Sequence, residues 1–270
     1  MATIKDALEQ LNDKSVRHIV SISGGKDSAA LAVHMKDKYP EIPVEYVFCD
    51  TGCELPETYE FIERLEALLG VSVIKVSIYD ILKIPKKSRI SAFDYMLKEL
   101  YGDYLPSVRA RWCTGALKIK PFEHFVGKGT AYSYIGIRDD EDREGYRKSK
   151  APALSDRPNI IPVYPFKDDG ITLSGVQKIL ENSGLGLPDY YKWRSRSGCY
   201  FCFYQQIGEW QGLKENHPEL FEKAKAYETK DDGKRYTWVD GRSLEELEKL
   251  EKKYSIQSPE DTDSCAICHL

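Results

Sequence analysis

The sequence predicts an α/β protein with a doubly wound, mostly parallel β-sheet, followed by a helical part that carries cysteine pairs. In the first half of the chain, short apolar runs rich in β-branched residues alternate with amphipathic helical patterns. The first apolar run passes through a Gly-Gly turn directly into a helix. From Tyr190 onward, aromatic residues are dense and helical patterns dominate. We therefore expect an α/β domain over residues 1–165 and a helical C-terminal region over residues 166–270.

The elements of the first domain alternate between helix and strand. Apolar runs predict strands at Val16–Ile22, Pro43–Cys49 and Val71–Val76. Apolar residues three and four positions apart predict helices at Ile4–Leu11 and Pro56–Leu69, the second of which is followed by Gly70. Because strands joined through a helix run parallel, ligands are expected at their carboxyl ends.

Further elements are predicted along the rest of the chain. Strands are expected at Thr130–Ile137 and Ile160–Val163, and helices at Ser91–Tyr101, Thr172–Asn182 and Leu244–Tyr254. Thr172 is expected to cap the N-terminus of its helix with its side chain.

The composition is that of an ordinary globular protein. The 270 residues can bury a full core, and no apolar run approaches the roughly 20 residues of a membrane span. We therefore expect no membrane contact and a cytoplasmic location. The net charge of -4 argues against a general electrostatic attraction to nucleic acid, so any such contact needs a local patch or a partner protein.

The segment directly after the first strand, Ser23-Gly24-Gly25-Lys26-Asp27-Ser28, predicts an anion site. The glycines let the backbone approach a ligand, and the amides and dipole at the helix N-terminus favour negative charge. The serine hydroxyls and the charge of Lys26 suit phosphate oxygens. The spacing is shorter than in a Walker A loop, GxxxxGK[ST]. The nucleotide contacts predicted on this strand and turn are Ser21, Ser23, Gly24, Gly25, Lys26, Asp27 and Ser28.

Two further groups of polar residues follow predicted strands. Asp50 and Thr51 should lie beside the glycine turn, and both are predicted nucleotide contacts. Asp50 suits a ribose hydroxyl or Mg²⁺, or instead a local Asx-turn or helix cap. Arg138 and Arg143 lie in the charged run after Ile137 and can bind phosphate or sulfate bidentately. The alternative for that run is a solvated surface loop.

Seven cysteines in a chain expected to be cytoplasmic favour metal or redox chemistry over disulfides. Our preferred ligand set is Cys113, Cys199 and Cys202, completed by Cys265 or Cys268. Spacing alone does not distinguish zinc from a [4Fe–4S] cluster. A structural zinc site made from the two CxxC pairs is the alternative, and the terminal pair can instead act as a mobile thiol that transfers sulfur.

The surroundings of the remaining thiols lead to two expectations. Arg194 and Arg196 precede the first CxxC pair, so nearby positive charge should favour its thiolates. Cys49 and Cys53 are expected to be buried beside the sheet and inert.

Five separated motifs, in order along the chain, resemble the phosphoadenosine phosphosulfate reductase-like branch of the PP-loop ATP pyrophosphatases. They are Ser23–Ser28, Asp50–Gly52 with Pro56–Tyr59, Arg111–Thr114 with Lys118, Gly136–Arg138 with Asp140, Glu141 and Arg143, and Gly198-Cys199 with Cys202. The resemblance covers roughly Val16 to Cys202. The Arg-Trp-Cys-Thr and Gly-Cys-x-x-Cys forms resemble most the DndC and SspD type proteins of DNA phosphorothioation systems.

The resemblance implies an adenine nucleotide alpha hydrolase-like fold that binds ATP and Mg²⁺, with Lys118 among the nucleotide contacts. It implies an ATP pyrophosphatase that adenylates an acceptor for sulfur insertion. The catalytic residues so implied are Lys26, Asp27, Arg138 and Arg143. It also implies a [4Fe–4S] cluster with zinc as the alternative, a cysteine desulfurase as sulfur donor, partner subunits that handle DNA, and a homodimer as one possible assembly.

Two alternatives use the same nucleotide site. In a phosphoadenosine phosphosulfate or adenylyl sulfate reductase, Cys265 or Cys268 attacks the sulfur of the nucleotide and sulfite is released. In a nucleotide-sensing scaffold, the nucleotide binds without turnover and the metal site is structural.

Overall fold

A computed structural model of the chain describes residues 2–84, 90–141, 155, 157–228, 230–231, 234–251 and 253–256. Arg143, Cys265 and Cys268, which the sequence places among the site residues, lie outside these ranges. No helix among the described residues combines the length and the apolar character that a bilayer crossing requires.

The centre of the molecule is a five-stranded parallel β-sheet with the strand order β3-β2-β1-β4-β5. The strands are β1 (Arg17–Ile22), β2 (Val44–Cys49), β3 (Ile74–Val76), β4 (Ala131–Tyr134) and β5 (Ile160–Val163). Because β1 lies in the middle and the order reverses on either side of it, its carboxyl end is a topological switch point where ligands of such folds bind. The predicted doubly wound, parallel α/β class is confirmed.

One face of the sheet is covered by α1 (Ile4–Glu9), α2 (Lys26–Lys38), α3 (Pro56–Leu69), α8 (Pro165–Asp168) and α9 (Leu173–Asn182). The even-numbered residues Val20 and Ile22 of β1 point to this face and pack with Phe61 of α3 and Val176 of α9. The bounds of α3 agree with the prediction, because Pro56 opens the helix and Gly70 ends it in the left-handed conformation.

The opposite face is covered by a helix that changes its winding. It runs through α6 (Trp112–Thr114), a π-helical turn (Gly115–Ile119) and α7 (Lys120–Val126). Phe122 and Val126 of α7 pack against Ile19 of β1. A short helix, α4 (Ile78–Leu82), packs beside α7.

The C-terminal part forms a second, aromatic core. Its elements are a 3₁₀-helix (Asp189–Lys192), α10 (Ile207–Asn216), α11 (Pro218–Ala226), α12 (Leu244–Glu248) and a two-strand hairpin of β6 (Lys230–Asp231) and β7 (Lys234–Arg235). Trp210 and Trp238 are buried in this core together with Phe93 of α5 (Ala92–Glu99), which precedes β4 in the chain. The division of the chain at residues 165 and 166 stays a prediction.

Several predicted elements are shorter in the structure. β3 begins at Ile74, three residues after the predicted start. The last helix ends at Glu248, and the chain after it lies along α10, where the amide of Tyr254 donates to Oε1 of Gln211 (3.0 Å). Thr172 does not cap α9 with its side chain. Its hydroxyl instead lies 3.1 Å from that of Ser174.

Candidate functional site

The turn between β1 and α2 is fixed in shape by hydrogen bonds of its two serines. The hydroxyl of Ser28 accepts from the amide of Ser23 (3.1 Å) and donates to the carbonyl of Gly25 (3.1 Å). The two serine hydroxyls are 3.0 Å apart. Gly25 precedes α2 and has no side chain to cap it, so the first amides of a 13-residue helix face this turn. The turn therefore has the donor set of a phosphate site, and we refer to Ser23–Ser28 as the phosphate turn.

Glycine is required at both positions of the turn because neighbouring elements approach closely. Gly24 has a φ of +73°, and a Cβ there would lie 2.4 Å from Cγ2 of Thr58 in α3. A Cβ on Gly25 would lie 2.7 Å from the hydroxyl oxygen of Ser197. The turn is thus packed between α3 and the loop that leads to the first CxxC pair. This arrangement fits a nucleotide phosphate group held by the backbone.

Lys26 is held at the first position of α2. Its Nζ lies 3.2 Å from Oδ2 of Asp27 and 5.6 Å from the ring centre of Tyr191. Burial disfavours the charged ammonium, but Tyr191 and Asp27 outweigh it and raise the pKa of Lys26. Lys26 is therefore charged at neutral pH and lies at the turn.

Asp27 and Arg138 form a buried ion pair behind the turn. Nη1 of Arg138 donates to Oδ1 of Asp27 (3.1 Å), and the same guanidinium contacts Asp140 (3.0 Å) and Glu141 (2.7 Å). Arg138 is 4% exposed. These carboxylates contact Nε and Nη1 of the guanidinium, and the predicted contact of Arg138 with phosphate stays a prediction. Asp27 contacts both cations, which makes it a link between Lys26 and Arg138.

The carboxyl end of β2 lies beside this turn, as expected. Oδ1 of Asp50 accepts from the amide of Gly52 (2.8 Å) and from the hydroxyl of Tyr59 (2.8 Å). The first contact is the Asx-turn that the sequence offered as the alternative. The hydroxyl of Thr51 is buried and donates to Glu54 (2.7 Å), so a nucleotide contact by Thr51 must use its backbone or displace that bond.

Glu54 is a buried carboxyl group at this edge that the sequence analysis missed. It accepts from Thr51 and from the amide of Cys53 (3.1 Å). Burial, followed by the nearby charge of Asp50, raises the pKa of Glu54 to about 7. In the sequence, a glutamate just before a helical pattern resembles an ordinary N-terminal acidic residue, so no local signal identifies it.

The first CxxC pair is attached to the same edge. Sγ of Cys199 lies 3.3 Å from the hydroxyl of Thr51, and the amide of Tyr200 donates to the carbonyl of Cys53 (2.9 Å). The phosphate turn and the CxxC loop therefore lie on one side of the molecule. Cys49 and Cys53 are buried, as expected, and their inertness stays a prediction.

The expectation that arginines favour the Cys199 thiolate is wrong. Burial, followed by the charge of Glu54, raises the pKa of Cys199. The guanidinium of Arg194 donates to the carbonyls of Gly198 (3.1 Å) and Cys199 (2.8 Å), so it shapes the loop and does not contact the thiol. Arg196 lies over the ring of Tyr204, 4.8 Å from its centre.

The predicted metal ligands are not assembled by the residues that the structure describes. Among these residues, no three histidine, cysteine, aspartate or glutamate side chains stand close enough together to hold a metal ion. Cys113 is partly buried, and burial raises the pKa of its thiol to about 12. The predicted ligand set of Cys113, Cys199 and Cys202 with Cys265 or Cys268 stays a prediction, because its last member lies outside the described residues.

Lys118 lies in the π-helical turn, next to the thiols. The thiol of Cys49 donates to the backbone carbonyl of Lys118 (3.5 Å). Burial raises the pKa of both Cys113 and Cys199, and the ammonium of Lys118 acts in the opposite direction on both. Its predicted role in nucleotide binding stays a prediction.

Two tyrosines of the 3₁₀-helix cover the phosphate turn and were also missed. The hydroxyl of Tyr190 donates to the carbonyl of Gly24 (2.7 Å), and the hydroxyl of Tyr191 accepts from the amide of Lys26 (3.2 Å). These contacts join residues about 165 positions apart in the chain, so no local pattern could reveal them.

Buried hydroxyls without partners line the sheet behind the turn. The hydroxyl oxygens of Ser21 in β1 and Ser133 in β4 have no hydrogen-bond partner among the described residues. Ile19 is paired with Ser133, so Ser21 and Ser133 point to the same face of the sheet. Unsatisfied buried hydroxyls are costly, and a polar ligand at this edge would offer them partners. The contact of Ser21 with a nucleotide stays a prediction.

Several known proteins are similar to this chain over part of their length. The chain is 26% identical over 212 residues to an uncharacterized protein of Methanocaldococcus jannaschii (MJ0066), covering 76% of this chain and 40% of that protein. It is 35% identical over 147 residues to an uncharacterized nin region protein of Escherichia phage lambda (ORF290), covering 47% and 49%. The chain thus spans about half or less of the length of these relatives.

A shorter match is to a named enzyme. The chain is 37% identical over 83 residues to phosphoadenosine 5'-phosphosulfate reductase of Alteromonas mediterranea, covering 27% of this chain and 33% of that protein. A solved structure of phosphoadenylyl-sulfate reductase from Candida auris has a TM-score of 0.49 at 13% identity, covering 73% of this chain and 88% of that one.

The family itself is shown by the domain match. Residues 17–211 match the family model described as the phosphoadenosine phosphosulfate reductase domain. The match begins at β1 and ends within α10, so it includes the phosphate turn, Asp50 at the carboxyl end of β2 and the first CxxC pair. The chain belongs to the phosphoadenosine phosphosulfate reductase domain family.

Proposed function

We propose that the protein is an ATP pyrophosphatase that adenylates an acceptor so that sulfur can be inserted, as in DNA phosphorothioate modification. The observation that supports this most is the packing of the phosphate turn against the CxxC loop. Gly25 leaves no room for a Cβ beside Ser197, two residues before Cys199. A nucleotide bound at the turn would therefore lie close to thiols, as a sulfur-inserting enzyme requires.

The first step is attack of an acceptor oxygen on the α-phosphorus of ATP. The new bond joins this oxygen to phosphorus, and the bond between the α-phosphorus and its bridging oxygen breaks, so pyrophosphate leaves. Negative charge grows on the leaving group, and catalysis is mainly positioning and charge stabilisation. Lys26 supplies positive charge at the turn, while Asp27 orients it and links it to Arg138. Arg143 is proposed for the same role.

Sulfur then replaces the adenylate. The terminal sulfur of a persulfide, supplied by a cysteine desulfurase, attacks the acceptor atom whose oxygen carries the adenylate. The bond between that atom and the oxygen breaks, and AMP leaves. A second thiol cleaves the sulfur–sulfur bond, which releases the thioated product and leaves a disulfide. We propose a DNA phosphate oxygen as the acceptor and partner subunits that present the DNA. A homodimer is compatible with this scheme.

The same proposal implies that the protein binds Mg²⁺ and either a [4Fe–4S] cluster or zinc. Mg²⁺ would neutralise the triphosphate, and the carboxylate of Asp50 is the proposed protein ligand at this edge. A [4Fe–4S] cluster or zinc would require Cys265 or Cys268 in addition to Cys113, Cys199 and Cys202. No step of the reaction above uses that group.

Pyrophosphate release from ATP tests this proposal. The protein is incubated under anaerobic conditions with ATP, Mg²⁺, a persulfide donor and DNA, and pyrophosphate is measured. Lys26→Ala should lower the rate by about 10² or more, because a charge that stabilises the leaving group is lost. Lys253→Ala, at a side chain that is 82% exposed, is the matched control and should leave the rate unchanged. Equal rates for the two variants would contradict the assignment of Lys26.

Sulfonucleotide reduction is the second candidate, and the match to the Alteromonas mediterranea reductase favours it. In this reaction, the thiolate of Cys265 or Cys268 attacks the sulfonucleotide sulfur and the nucleotide phosphate leaves. A second thiol then releases sulfite with formation of a disulfide. Sulfite release from a sulfonucleotide in the presence of thioredoxin, without pyrophosphate release from ATP, would support this candidate over the first.

A further inference from the structure

Three aromatic rings form a stack that runs from the aromatic core to the surface. The buried ring of Phe93 lies 5.4 Å from that of Trp112, with an angle of 18° between their planes. The ring of Tyr101 lies 4.1 Å from that of Trp112 on a plane inclined by 15°. Tyr101 and Trp112 are partly exposed. The stack thus ends at the surface with the ring of Tyr101, which lies nearly parallel to that of Trp112.

Exposed apolar residues lie near this ring in the chain. Leu100 is 60% exposed and Val108 is 61% exposed, and Tyr104 lies between them in the chain. The indole Nε1 of Trp112 donates to the carbonyl of Tyr104 (2.9 Å), which fixes the loop against the stack. We refer to Tyr101, Tyr104, Val108, Arg109 and Trp112 as the aromatic platform.

The aromatic platform carries positive charge. Arg109 and Arg111 are exposed, and between residues 100 and 112 the sequence has Asp103 as its one carboxylate. Arg109 forms no ion pair or hydrogen bond with any described residue, so its charge is available to a ligand. A partly exposed aromatic ring and an arginine on the same surface segment are a combination that single-stranded nucleic acids bind, because bases stack on the ring and phosphates pair with the cation.

The stack also leads towards the thiols. Cys113 directly follows Trp112, and the inner ring of Phe93 lies 4.2 Å from that of Phe201, which stands between Cys199 and Cys202. The aromatic platform and the CxxC loop are therefore joined through one set of packed rings.

We propose that the aromatic platform binds single-stranded nucleic acid, with a base stacked on Tyr101 and a phosphate on Arg109. This deepens the proposed function and rests on it, because it assigns the acceptor strand to a surface of this chain. The alternative occupant is an apolar segment of a partner protein, and the charge of Arg109 favours nucleic acid over it.

Binding is measured by fluorescence anisotropy with labelled oligothymidylate and oligouridylate of about 16 nucleotides, in parallel arms that separate DNA from RNA. Tyr101→Leu should weaken binding about tenfold, whereas Tyr101→Phe keeps the ring and should change it by less than about twofold. Arg109→Ala should weaken binding. It should also make the slope of the logarithm of the binding constant against the logarithm of salt concentration shallower by about 1, the value for one phosphate contact.

Two variants of an exposed residue keep the test independent of folding. Val108→Glu should weaken binding and Val108→Lys should strengthen it, because only the added charge differs in sign. Equal weakening of oligonucleotide binding by both would show that the sign of the charge here is irrelevant, and it would contradict the phosphate contact assigned to this surface. Absence of saturable binding to either oligonucleotide would overturn the inference.

The proposed function is judged separately by pyrophosphate release. Release without oligonucleotide binding would refute the aromatic platform alone. Binding that responds to these variants, without release from ATP, would refute the pyrophosphatase alone.

Discussion

At the scale of single residues, Gly24 shows how tightly the phosphate turn is specified. Gly24→Ala places a side chain at a φ of +73° and a Cβ 2.4 Å from Cγ2 of Thr58. The left-handed conformation costs a non-glycine residue about 1 to 2 kcal/mol, and the collision adds to this. We expect Gly24→Ala to lower the free energy of unfolding, measured in urea, by more than the conformational cost alone.

Gly70 provides the matched control for this prediction. It has the same φ of +73°, but a Cβ there would meet nothing within 4 Å. Gly70→Ala should therefore lose only about 1 to 2 kcal/mol. Adding Thr58→Ser removes the methyl group in the collision and should recover part of the Gly24→Ala loss. Equal losses for the two glycine variants would show that packing against Thr58 is unimportant.

The sequence predicted the residues of the site that belong to local motifs. Ser23 and Ser28 bond each other within the turn, and Asp50 forms a local Asx-turn, so neighbouring residues determine their positions. Tyr190 and Tyr191 reach the turn from a distant part of the chain. Their contacts depend on tertiary packing, which periodicity does not encode.

At the scale of elements, α2 and the segment before α9 are joined by one carboxylate. Asp169 accepts from Nε2 of His34 (2.6 Å), Nζ of Lys38 (2.5 Å) and the hydroxyl of Tyr39 (2.9 Å). Burial alone would raise the pKa of Asp169, but these hydrogen bonds outweigh it and hold the pKa below its usual 3.8. The ionised carboxylate therefore stabilises the packing of α9 on α2.

This arrangement predicts a loss of stability in acid. A carboxyl group with a lowered folded-state pKa stabilises the fold above its unfolded-state pKa, and this contribution is lost as the pH falls below 3.8 through the folded-state value. Asp169→Asn should lower the free energy of unfolding by about 1 to 3 kcal/mol at about pH 7. The difference between the two proteins should shrink at about pH 3. A difference that stays constant with pH would contradict this account.

Elements with strong boundary signals were predicted best. Pro56 and Gly70 define both ends of α3, and its prediction is confirmed to the residue. The helix from Trp112 to Val126 was not predicted, because a stretch with arginines, a cysteine and a glycine lacks helical periodicity. Its π-helical turn is stabilised by packing against β1 and α5, so local propensity does not indicate it.

At the scale of the whole molecule, stability should be highest in the centre of the sheet. β1 is paired on both sides and its residues from His18 to Ile22 are buried, whereas β3 is an edge strand with two exposed residues. We expect amide hydrogen exchange to be slowest in β1 and faster in β3. Mass spectrometry of peptic peptides measures both. Exchange in β3 as slow as in β1 would contradict this expectation.

The fold class was predictable because alternating strands and helices leave few arrangements for a parallel sheet. The aromatic core was only partly predictable. The density of aromatic residues after Tyr190 indicated it, but Phe93, more than a hundred positions before Trp210, belongs to the same core. Contacts over such separations depend on the topology of the complete chain.

Every strand of the sheet points the same way, so the segments that precede the strands meet at the end away from the phosphate turn. Lys14, Glu41, Ser72 and Lys128 lie in these segments and are all exposed. A fluorophore or an affinity handle attached there would report on the protein, or immobilise it, while the opposite end remains accessible to substrate.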